Sequence, residues 1–234
     1  MAYVGGKSKC YEHIIRILND PKYNGMKYLE PFVGMAHILR RVTNKKKYTA
    51  SDINGNLVCL LKGIQTNERI PFISKKKYSL LKDQKDISFE KSLAAFTYSF
   101  NGKEFGGYTK TNKELTRNYP NERIRYYKTL QENGTFMKTK LKNCAYNQWK
   151  PYGFIIYCDP PYKDTTDYST NFDHILFWNT MREWSRNNTV FISEYKAPRD
   201  FKVVSKGEKY MSLSGSGSSS KRTEKLFQLK NNVT

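Results

Sequence analysis

The sequence predicts a doubly wound α/β fold, because strand and helix patterns alternate at both ends of the chain. Near the N-terminus, Lys27–Phe32 and Lys47–Ser51 are predicted strands, and a helical pattern follows each of them. After a break the alternation returns with Gly153–Cys158, an apolar run typical of a buried parallel strand. Helices that connect parallel strands in this way are expected to cover both faces of one sheet.

The N-terminal elements can be predicted one by one. Tyr11–Leu18 has the apolar spacing of an amphipathic helix. The first strand runs into a glycine turn at Gly34, and a helix is expected from about Ala36 to Val42. The second strand ends at Asp52, and Leu57–Ile64 is predicted to be helical.

The C-terminal elements continue the same alternation. Phe172–Trp184 is a predicted helix and Thr189–Ser193 a predicted buried strand. Lys202–Val204 is expected to be a short strand. Ser212–Ser220 is rich in serine and glycine and is a predicted loop, and Glu224–Leu229 is the expected last strand.

Residues 75–144 interrupt the alternation and are predicted to be an inserted segment. They hold two expected helices, Phe89–Tyr98 and Glu122–Glu132, and a glycine-rich aromatic loop, Asn101–Tyr108. The segment has 16 basic and 7 acidic residues, a net charge of +9. The predicted main domain therefore combines residues 1–74 and 145–234.

Composition limits the class of protein. The 234 residues include 41 Lys and Arg against 21 Asp and Glu, a net charge of +20. This charge suits a polyanionic partner, although a lysine-rich, well-solvated surface would give the same balance. The aromatic fraction of 15% argues against a disordered polyelectrolyte. No apolar run is long enough to span a membrane, and Met1–Lys9 lacks a signal-peptide core, so we expect a soluble intracellular protein.

The cysteines and histidines do not predict a metal site. None of the four cysteines forms a C-x-x-C pair, and the three histidines are far apart in the sequence. Free, reduced cysteines and no bound metal are therefore expected.

The strongest chemical signal is Asp159-Pro160-Pro161-Tyr162, which directly follows the apolar run. Ligands of open α/β sheets bind at the carboxyl ends of the strands. Two consecutive prolines remove two backbone donors, so the Pro160 carbonyl is available to accept a hydrogen bond beside the Asp159 carboxylate. Two acceptors next to the flat Tyr162 ring suit the exocyclic amino group of a planar base.

A second signal combines Glu30, Phe32 and Gly34 after the first strand with Asp52 at the end of the second. The glycine turn lets a cofactor approach the backbone, and the acid can accept both hydroxyls of a ribose. The same geometry serves nucleotide cofactors and S-adenosylmethionine, and NAD is less favoured because the chain has no G-x-G-x-x-G. Asp52 could also be an ordinary turn residue.

A third signal lies at the N-terminus, in Tyr3, Gly5, Gly6 and Lys7. The two glycines allow a tight backbone, and Lys7 could reach a carboxylate. A disordered basic leader is the alternative interpretation of this segment.

In these motifs and their order, the chain resembles the Dam-like, alpha-type class of DNA adenine-N6 methyltransferases. Further segments resemble those of its phage- and virus-type members. They are Asn101–Tyr108, Phe172–His174, Ser193–Pro198 and Arg222–Phe227. The resemblance implies a Rossmann-like class I S-adenosylmethionine-dependent methyltransferase fold with an inserted, mostly helical DNA-recognition subdomain at residues 75–144.

The resemblance also implies roles for the motif residues. Asp159 and Pro160 would hold the adenine N6 amine, with Pro161 completing the turn and Tyr162 stacking on the flipped base. The cofactor-binding residues implied are Tyr3, Gly5, Gly6, Lys7, Glu30, Phe32, Gly34 and Asp52. Ala36 stands where the family usually has a third glycine, which puts the affinity for the cofactor in doubt.

Double-stranded DNA is the implied partner, and the DNA-binding residues expected in the insertion are Lys103, Phe105, Tyr108, Lys110 and Arg117. Either a monomer or a homodimer would suit this activity. A cognate restriction endonuclease would act on the same DNA site without binding to this protein. Lys103 and Lys110 could instead be solvated lysines, and Phe105 and Tyr108 could pack the core of the insertion.

Rival functions are another amino-methyltransferase, acting on cytosine N4, RNA or protein glutamine, and a non-catalytic DNA-binding subunit.

Overall fold

A seven-stranded sheet forms the centre of the protein. The computed structural model describes residues 11–109, 118–162, 172–212 and 219–230, without the side chains of 208–212 and 219–222. The strands are β1 Lys27–Glu30, β2 Lys47–Asp52, β3 Lys140–Asn143, β4 Phe154–Cys158, β5 Thr189–Glu194, β6 Phe201–Ser212 and β7 Ser219–Leu229. Their order across the sheet is β3-β2-β1-β4-β5-β7-β6.

The directions of the strands place a crevice at the middle of the sheet. Strands β1 to β5 are parallel to one another, whereas β7 runs antiparallel to both β5 and β6. The strand order reverses between β1 and β4, and ligands of such sheets bind outside the carboxyl ends at this point. The predicted doubly wound, Rossmann-like α/β sheet is confirmed.

Helices cover both faces of the sheet. They are α1 Glu12–Leu18, α2 Gly55–Gln65, α3 Lys75–Asp83, α4 Phe89–Thr97, α5 Tyr119–Gln131, α6 Gly134–Met137 and α7 His174–Ser185. In each of these helices except α1, the side chain of the residue before the first turn caps the N-terminus. The capping residues are Asn54, Ser74, Ser88, Asn118, Asn133 and Asp173. Within the described ranges, no helix combines the length and the apolar character that crossing a membrane requires.

The strand period of two divides the apolar residues between two cores. Along β1, Tyr28 packs into a core with α1, α2, α4 and α5, and the next residue, Leu29, faces α7 on the other side. Ile155 and Ile156 on β4 divide between the same two cores. Continuous apolar strands of this kind need cover on both faces, which the helices provide.

The predicted insertion shares the larger core. Phe96 on α4 and Tyr127 and Leu130 on α5 are fully buried in the cluster that also contains sheet residues. The boundary predicted at residue 144 lies after β3, which pairs with β2 in the central sheet. The helices of residues 75–137 therefore pack as part of the main fold, and their role in DNA recognition stays a prediction.

One predicted helix is wrong. Between Ala36 and Val42 the chain forms only a short 3-10 turn at Leu39–Arg41. Gly34 and Ala36 both have positive φ, +49° and +57°, and an α-helix cannot pass through this left-handed conformation. The predicted strand at Lys202–Val204 forms part of the longer β6.

Gly63 on α2 fits against Phe89 of α4 so closely that an added Cβ would overlap the aromatic ring. We expect Gly63→Ala to lower the free energy of unfolding by about 1–3 kcal/mol through overpacking. Gly134→Ala is the matched control, because a Cβ there meets no heavy atom within 4 Å. Urea denaturation measures both, and a Gly63→Ala variant at least as stable as the wild type would contradict this packing.

Candidate functional site

Four adjacent strands each place a carboxylate at the same edge of the sheet. Asp52 ends β2, Glu30 ends β1, Asp159 follows β4, and Glu194 ends β5. We call these four residues the acidic edge. They lie at the predicted crevice, in a chain whose net charge is +20. A concave site lined by negative charge attracts cationic groups and hydrogen-bond donors.

The buried members of the acidic edge accept hydrogen bonds from nearby groups. Glu30 is 2% exposed and accepts from the Tyr28 hydroxyl at 2.7 Å. Glu194 is also buried and accepts from the Tyr195 backbone N–H at 2.7 Å. Such donors offset the cost of taking a carboxylate out of water.

The turn after β1 is tied to the end of β2. The Val33 N–H donates to the Ser51 carbonyl at 3.0 Å, and the Gly34 N–H donates to Asp52 Oδ2 at 3.1 Å. Asp52 Oδ1 accepts from the Asn54 N–H at 3.0 Å. These contacts fix the orientation of the Asp52 carboxylate, which still has accepting capacity left for a ligand.

Burial makes the Asp52 carboxylate harder to ionise. Desolvation raises the pKa of Asp52 above its usual value, although the N–H groups of Asn54, Gly34 and Ile53 act in the opposite direction. A partly desolvated carboxylate binds neutral hydrogen-bond donors more strongly than an exposed one does. Asp52 therefore suits the predicted role of ribose acceptor, which stays a prediction.

Ala36 completes the same turn in a conformation that favours glycine. Its φ is +57°, its side chain is fully buried, and its N–H donates to the Val33 carbonyl at 2.8 Å. A left-handed non-glycine residue costs about 1–2 kcal/mol. The alanine therefore adopts the backbone form that the usual glycine would adopt, at the cost of some strain.

Aromatic rings form a wall beside the acidic edge. Phe32 stacks on Tyr146 with ring centroids 5.2 Å apart, and it meets the edges of Phe172 and Phe177 at 6.1 and 5.9 Å. Burial raises the pKa of Tyr146 to about 12, so its hydroxyl stays neutral. A wall of neutral rings next to hydrogen-bond acceptors suits a flat heterocycle.

The Asp159–Tyr162 segment follows β4 and contacts the last strand. The Tyr162 hydroxyl lies 3.1 Å from Asp159 Oδ1 and 3.0 Å from Glu224 Oε1. The Tyr162 ring is 9% exposed and meets Tyr195 edge-on at 4.8 Å. Burial, with the nearby charges of Asp159 and Glu224, raises the pKa of Tyr162 well above its usual value.

Part of the predicted site lies outside the described residues. These residues are Tyr3, Gly5, Gly6 and Lys7 of the N-terminal motif and Lys110 and Arg117 of the insertion. In the described part, Lys103, Phe105 and Tyr108 share one loop after α4. Lys103 is exposed, whereas the rings of Phe105 and Tyr108 pack edge-on against Tyr78 at 5.3 and 5.4 Å. The expected DNA contacts of these three residues stay predictions.

The same loop is joined to the cofactor side of the site through Glu104. Its Oε2 accepts from the Asn54 side-chain amide and its Oε1 from that of Asn56, both at 2.6 Å. Asn54 also caps α2 and donates its backbone N–H to Asp52. One carboxylate thus connects the loop of Lys103 to the turn that orients Asp52.

Sequence reasoning missed Glu104, Glu194, Glu224 and Tyr146 as site residues. Glu194 could have been found, because it follows a buried strand as Asp52 and Asp159 do. Glu104, Glu224 and Tyr146 meet the site through contacts with residues at least 48 positions away in the chain. No local pattern in the sequence marks such contacts.

We expect Glu104→Gln to lower the free energy of unfolding by about 1–3 kcal/mol. The new amide replaces two charge-assisted contacts with one neutral acceptor, and it keeps both contacts only if the Asn56 amide turns to present its oxygen. Adding Asn56→Asp to this variant should restore much of the loss, because the new carboxylate accepts from the glutamine. Asn56→Asp alone should destabilise through repulsion from Glu104.

Thermal and urea unfolding of the four proteins measure this cycle. A double variant no more stable than Glu104→Gln alone would contradict the role given to the hydrogen bonds between Glu104 and the two Asn side chains.

Comparison with known proteins identifies a family for the N-terminal part of the chain. Residues 3–93 match the sequence model of the family described as D12 class N6 adenine-specific DNA methyltransferase. This span includes β1, the turn after it, β2 and Asp52. No sequence among the curated proteins matches the chain.

Several solved structures are similar over most of their length. The rRNA methyltransferase aviRa from Streptomyces viridochromogenes is 12% identical, with 93% of this chain and 82% of that chain covered and a TM-score of 0.41. A protein of Thermoplasma acidophilum is 9% identical, with 95% and 88% covered and a TM-score of 0.45. The precorrin-6y C5,15-methyltransferase of Geobacter metallireducens is 6% identical, with 92% and 86% covered and a TM-score of 0.39.

These structural similarities are too distant to indicate a substrate, and the fold assignment depends on the strand order described above. The phage- and virus-type resemblance stays a prediction. The match over residues 3–93 confirms the resemblance to the Dam-like family for this part of the chain.

Proposed function

We propose that the chain transfers a methyl group from S-adenosylmethionine to N6 of an adenine flipped out of duplex DNA. The observation that carries the proposal is the position of Asp159-Pro160-Pro161-Tyr162. The segment follows β4 at the point where the strand order reverses, and Glu30 ends the neighbouring strand. Acceptors for an amine and a site for a cationic donor are thereby brought to one crevice.

The residues at the carboxyl ends of β1 and β2 fit the cofactor. The positive φ of Gly34 opens the backbone of the turn, and the fixed Asp52 carboxylate can accept ribose hydroxyls. The acidic edge offers negative charge to a sulfonium and an ammonium group. When bound, S-adenosylmethionine supplies a methyl group that its sulfonium charge has already activated.

The remaining cofactor contacts of the proposal come from the resemblance. Tyr3 and Lys7 would contact S-adenosylmethionine, with Lys7 near its carboxylate end, and Gly5 and Gly6 would allow the tight backbone of this motif. Phe32 and Gly34 would shape the methionine and ribose side of the pocket, where Phe32 already stacks on Tyr146, and Glu30 belongs to the same implied cofactor-binding set.

Asp159 and the Pro160 carbonyl would hold the two hydrogens of the adenine N6 amine. An amine held by two acceptors directs its lone pair toward the methyl group on the opposite side. Asp159 then lowers the energy of the positive charge that develops on N6 as the N–CH₃ bond forms, the S–CH₃ bond breaks and S-adenosylhomocysteine leaves. It need not take a proton before attack, and the extra N6 proton is lost to solvent after transfer. Orientation and exclusion of water supply about 7–11 kcal/mol in reactions of this kind.

Flipping the adenine costs a few kcal/mol, and stacking on an aromatic ring recovers about 1–3 kcal/mol. We propose Tyr162 as that ring. Since it is 9% exposed and meets Tyr195 edge-on, the incoming base would have to replace part of the Tyr195 contact.

Duplex DNA is proposed as the substrate because of the family match and the charge distribution. The net charge of +20 favours phosphate contacts, and residues 75–144 are the most basic third of the chain. Lys103 is exposed on the loop that Glu104 joins to the Asp52 turn. Lys110 and Arg117 continue the proposed DNA-binding set in sequence.

The proposal predicts different defects for two aspartate variants. Asp159→Ala should retain S-adenosylmethionine binding and lower the rate of methyl transfer by about 10²-fold, because the amine loses its orienting acceptor. Asp52→Ala should mainly weaken cofactor binding, because the ribose loses its acceptor. Isothermal titration calorimetry and transfer of labelled methyl to unmethylated duplex DNA separate the two effects.

Asp200→Asn serves as a control, since Asp200 pairs with Arg182 away from the acidic edge. An Asp159→Ala variant that methylates DNA at the wild-type rate would sink the proposed mechanism.

A further inference from the structure

Glu224 contacts the catalytic segment from the last strand of the sheet. Its side chain is fully buried, and its Oε1 lies 3.0 Å from the Tyr162 hydroxyl. The same hydroxyl lies 3.1 Å from Asp159 Oδ1. Tyr162 therefore connects Glu224, 62 residues later in the chain, to the proposed amine acceptor.

The Asp159–Tyr162 segment needs such a side-chain anchor. Pro160 and Pro161 have no backbone N–H, so two consecutive residues cannot donate to a neighbouring strand or turn. The Tyr162 hydroxyl supplies a donor at the end of this segment. Burial keeps the phenol in its neutral form, because it raises the pKa of Tyr162 well above the usual value.

The anchor itself lies on a rigid part of the fold. Glu224 pairs in register with Gly207 of β6, and the next residue, Lys225, pairs with Glu194 at the end of β5. A group on paired strands holds its position more closely than one on a loop. The single hydroxyl hydrogen of Tyr162 is shared between Glu224 Oε1 and Asp159 Oδ1 as a three-centre hydrogen bond. The sheet can therefore fix the far end of Tyr162, and through it one oxygen of Asp159.

We propose that Glu224 is a positioning residue for methyl transfer, which acts through the Tyr162 hydroxyl to hold Asp159 against the substrate amine. This inference rests on the proposed function of Asp159. Glu224 does not touch the substrate in this account. Its effect is to keep one Asp159 oxygen engaged with Tyr162, so that the other faces the crevice.

The proposal predicts a different effect on kcat for alanine and for glutamine at position 224. Glu224→Ala removes the anchor, and we expect kcat to fall on the order of 10²-fold, as for a small misplacement of a reacting group. S-adenosylmethionine affinity should be unchanged, because Asp52 and Gly34 are untouched. Glu224→Gln keeps a polar group at the hydroxyl, so we expect it to retain most of the wild-type kcat.

A double-variant cycle tests whether Glu224 acts through Tyr162. In a Tyr162→Phe background the hydroxyl is already gone, so Glu224→Ala should lower kcat little further. Glu183→Ala is the matched control, because it removes an exposed carboxylate from α7 and should leave kcat unchanged. Thermal unfolding of each variant shows whether it is folded at the assay temperature.

Hydrogen–deuterium exchange gives a readout that requires no methyl acceptor. The backbone amides of Asp159 and Tyr162, the two that this segment has, should exchange faster in Glu224→Ala than in the wild type and in Glu224→Gln. Unchanged exchange and unchanged kcat in Glu224→Ala would overturn the inference. It would also be overturned if the double variant lost kcat by the product of the two factors that Glu224→Ala and Tyr162→Phe lose singly. If the wild type methylates no DNA, the proposed function fails, and faster exchange in Glu224→Ala would still support the anchoring contact.

Discussion

The parallel register of β2, β1, β4 and β5 brings Asp52, Glu30, Asp159 and Glu194 to one edge of the sheet. Carboxylates cannot be gathered and buried in this way unless donors satisfy them. The protein supplies backbone N–H groups at Asp52 and Glu194 and phenol hydroxyls at the other two. Much of the surrounding sequence is explained by this requirement.

The tyrosines near the acidic edge illustrate the requirement. Burial raises the pKa of Tyr28, Tyr157 and Tyr162 well above its usual value, so each phenol keeps its hydrogen. Tyr28 donates to Glu30, and Tyr162 is shared between Asp159 and Glu224. A very basic protein thus gathers four carboxylates at one sheet edge, where nearby N–H and hydroxyl groups donate to them.

The sequence predicts the central elements well because their signals are local. The alternation of strand and helix patterns marked β1 and β2, and apolar runs marked β4 and β5. Glu30, Asp52 and Asp159 marked the site edge, whereas Glu194 was missed. The helix expected at Ala36–Val42 failed because left-handed residues at Gly34 and Ala36 hold a turn that binds Asp52. β3 was missed because Lys140–Asn143 is short and polar, and only its pairing with β2 makes it a strand. Glu224 and Glu104 could not be found from the sequence, since their roles depend on contacts between distant segments.

The central claim is the substrate and the atom that is methylated. The most direct measurement incubates the protein with labelled S-adenosylmethionine and, in parallel, unmethylated duplex DNA, RNA and a protein lysate, followed by nucleoside mass spectrometry. The account predicts label in DNA as N6-methyladenine. Label in cytosine, in RNA or in protein would contradict the assigned substrate, and the absence of both transfer and cofactor binding would contradict catalysis itself.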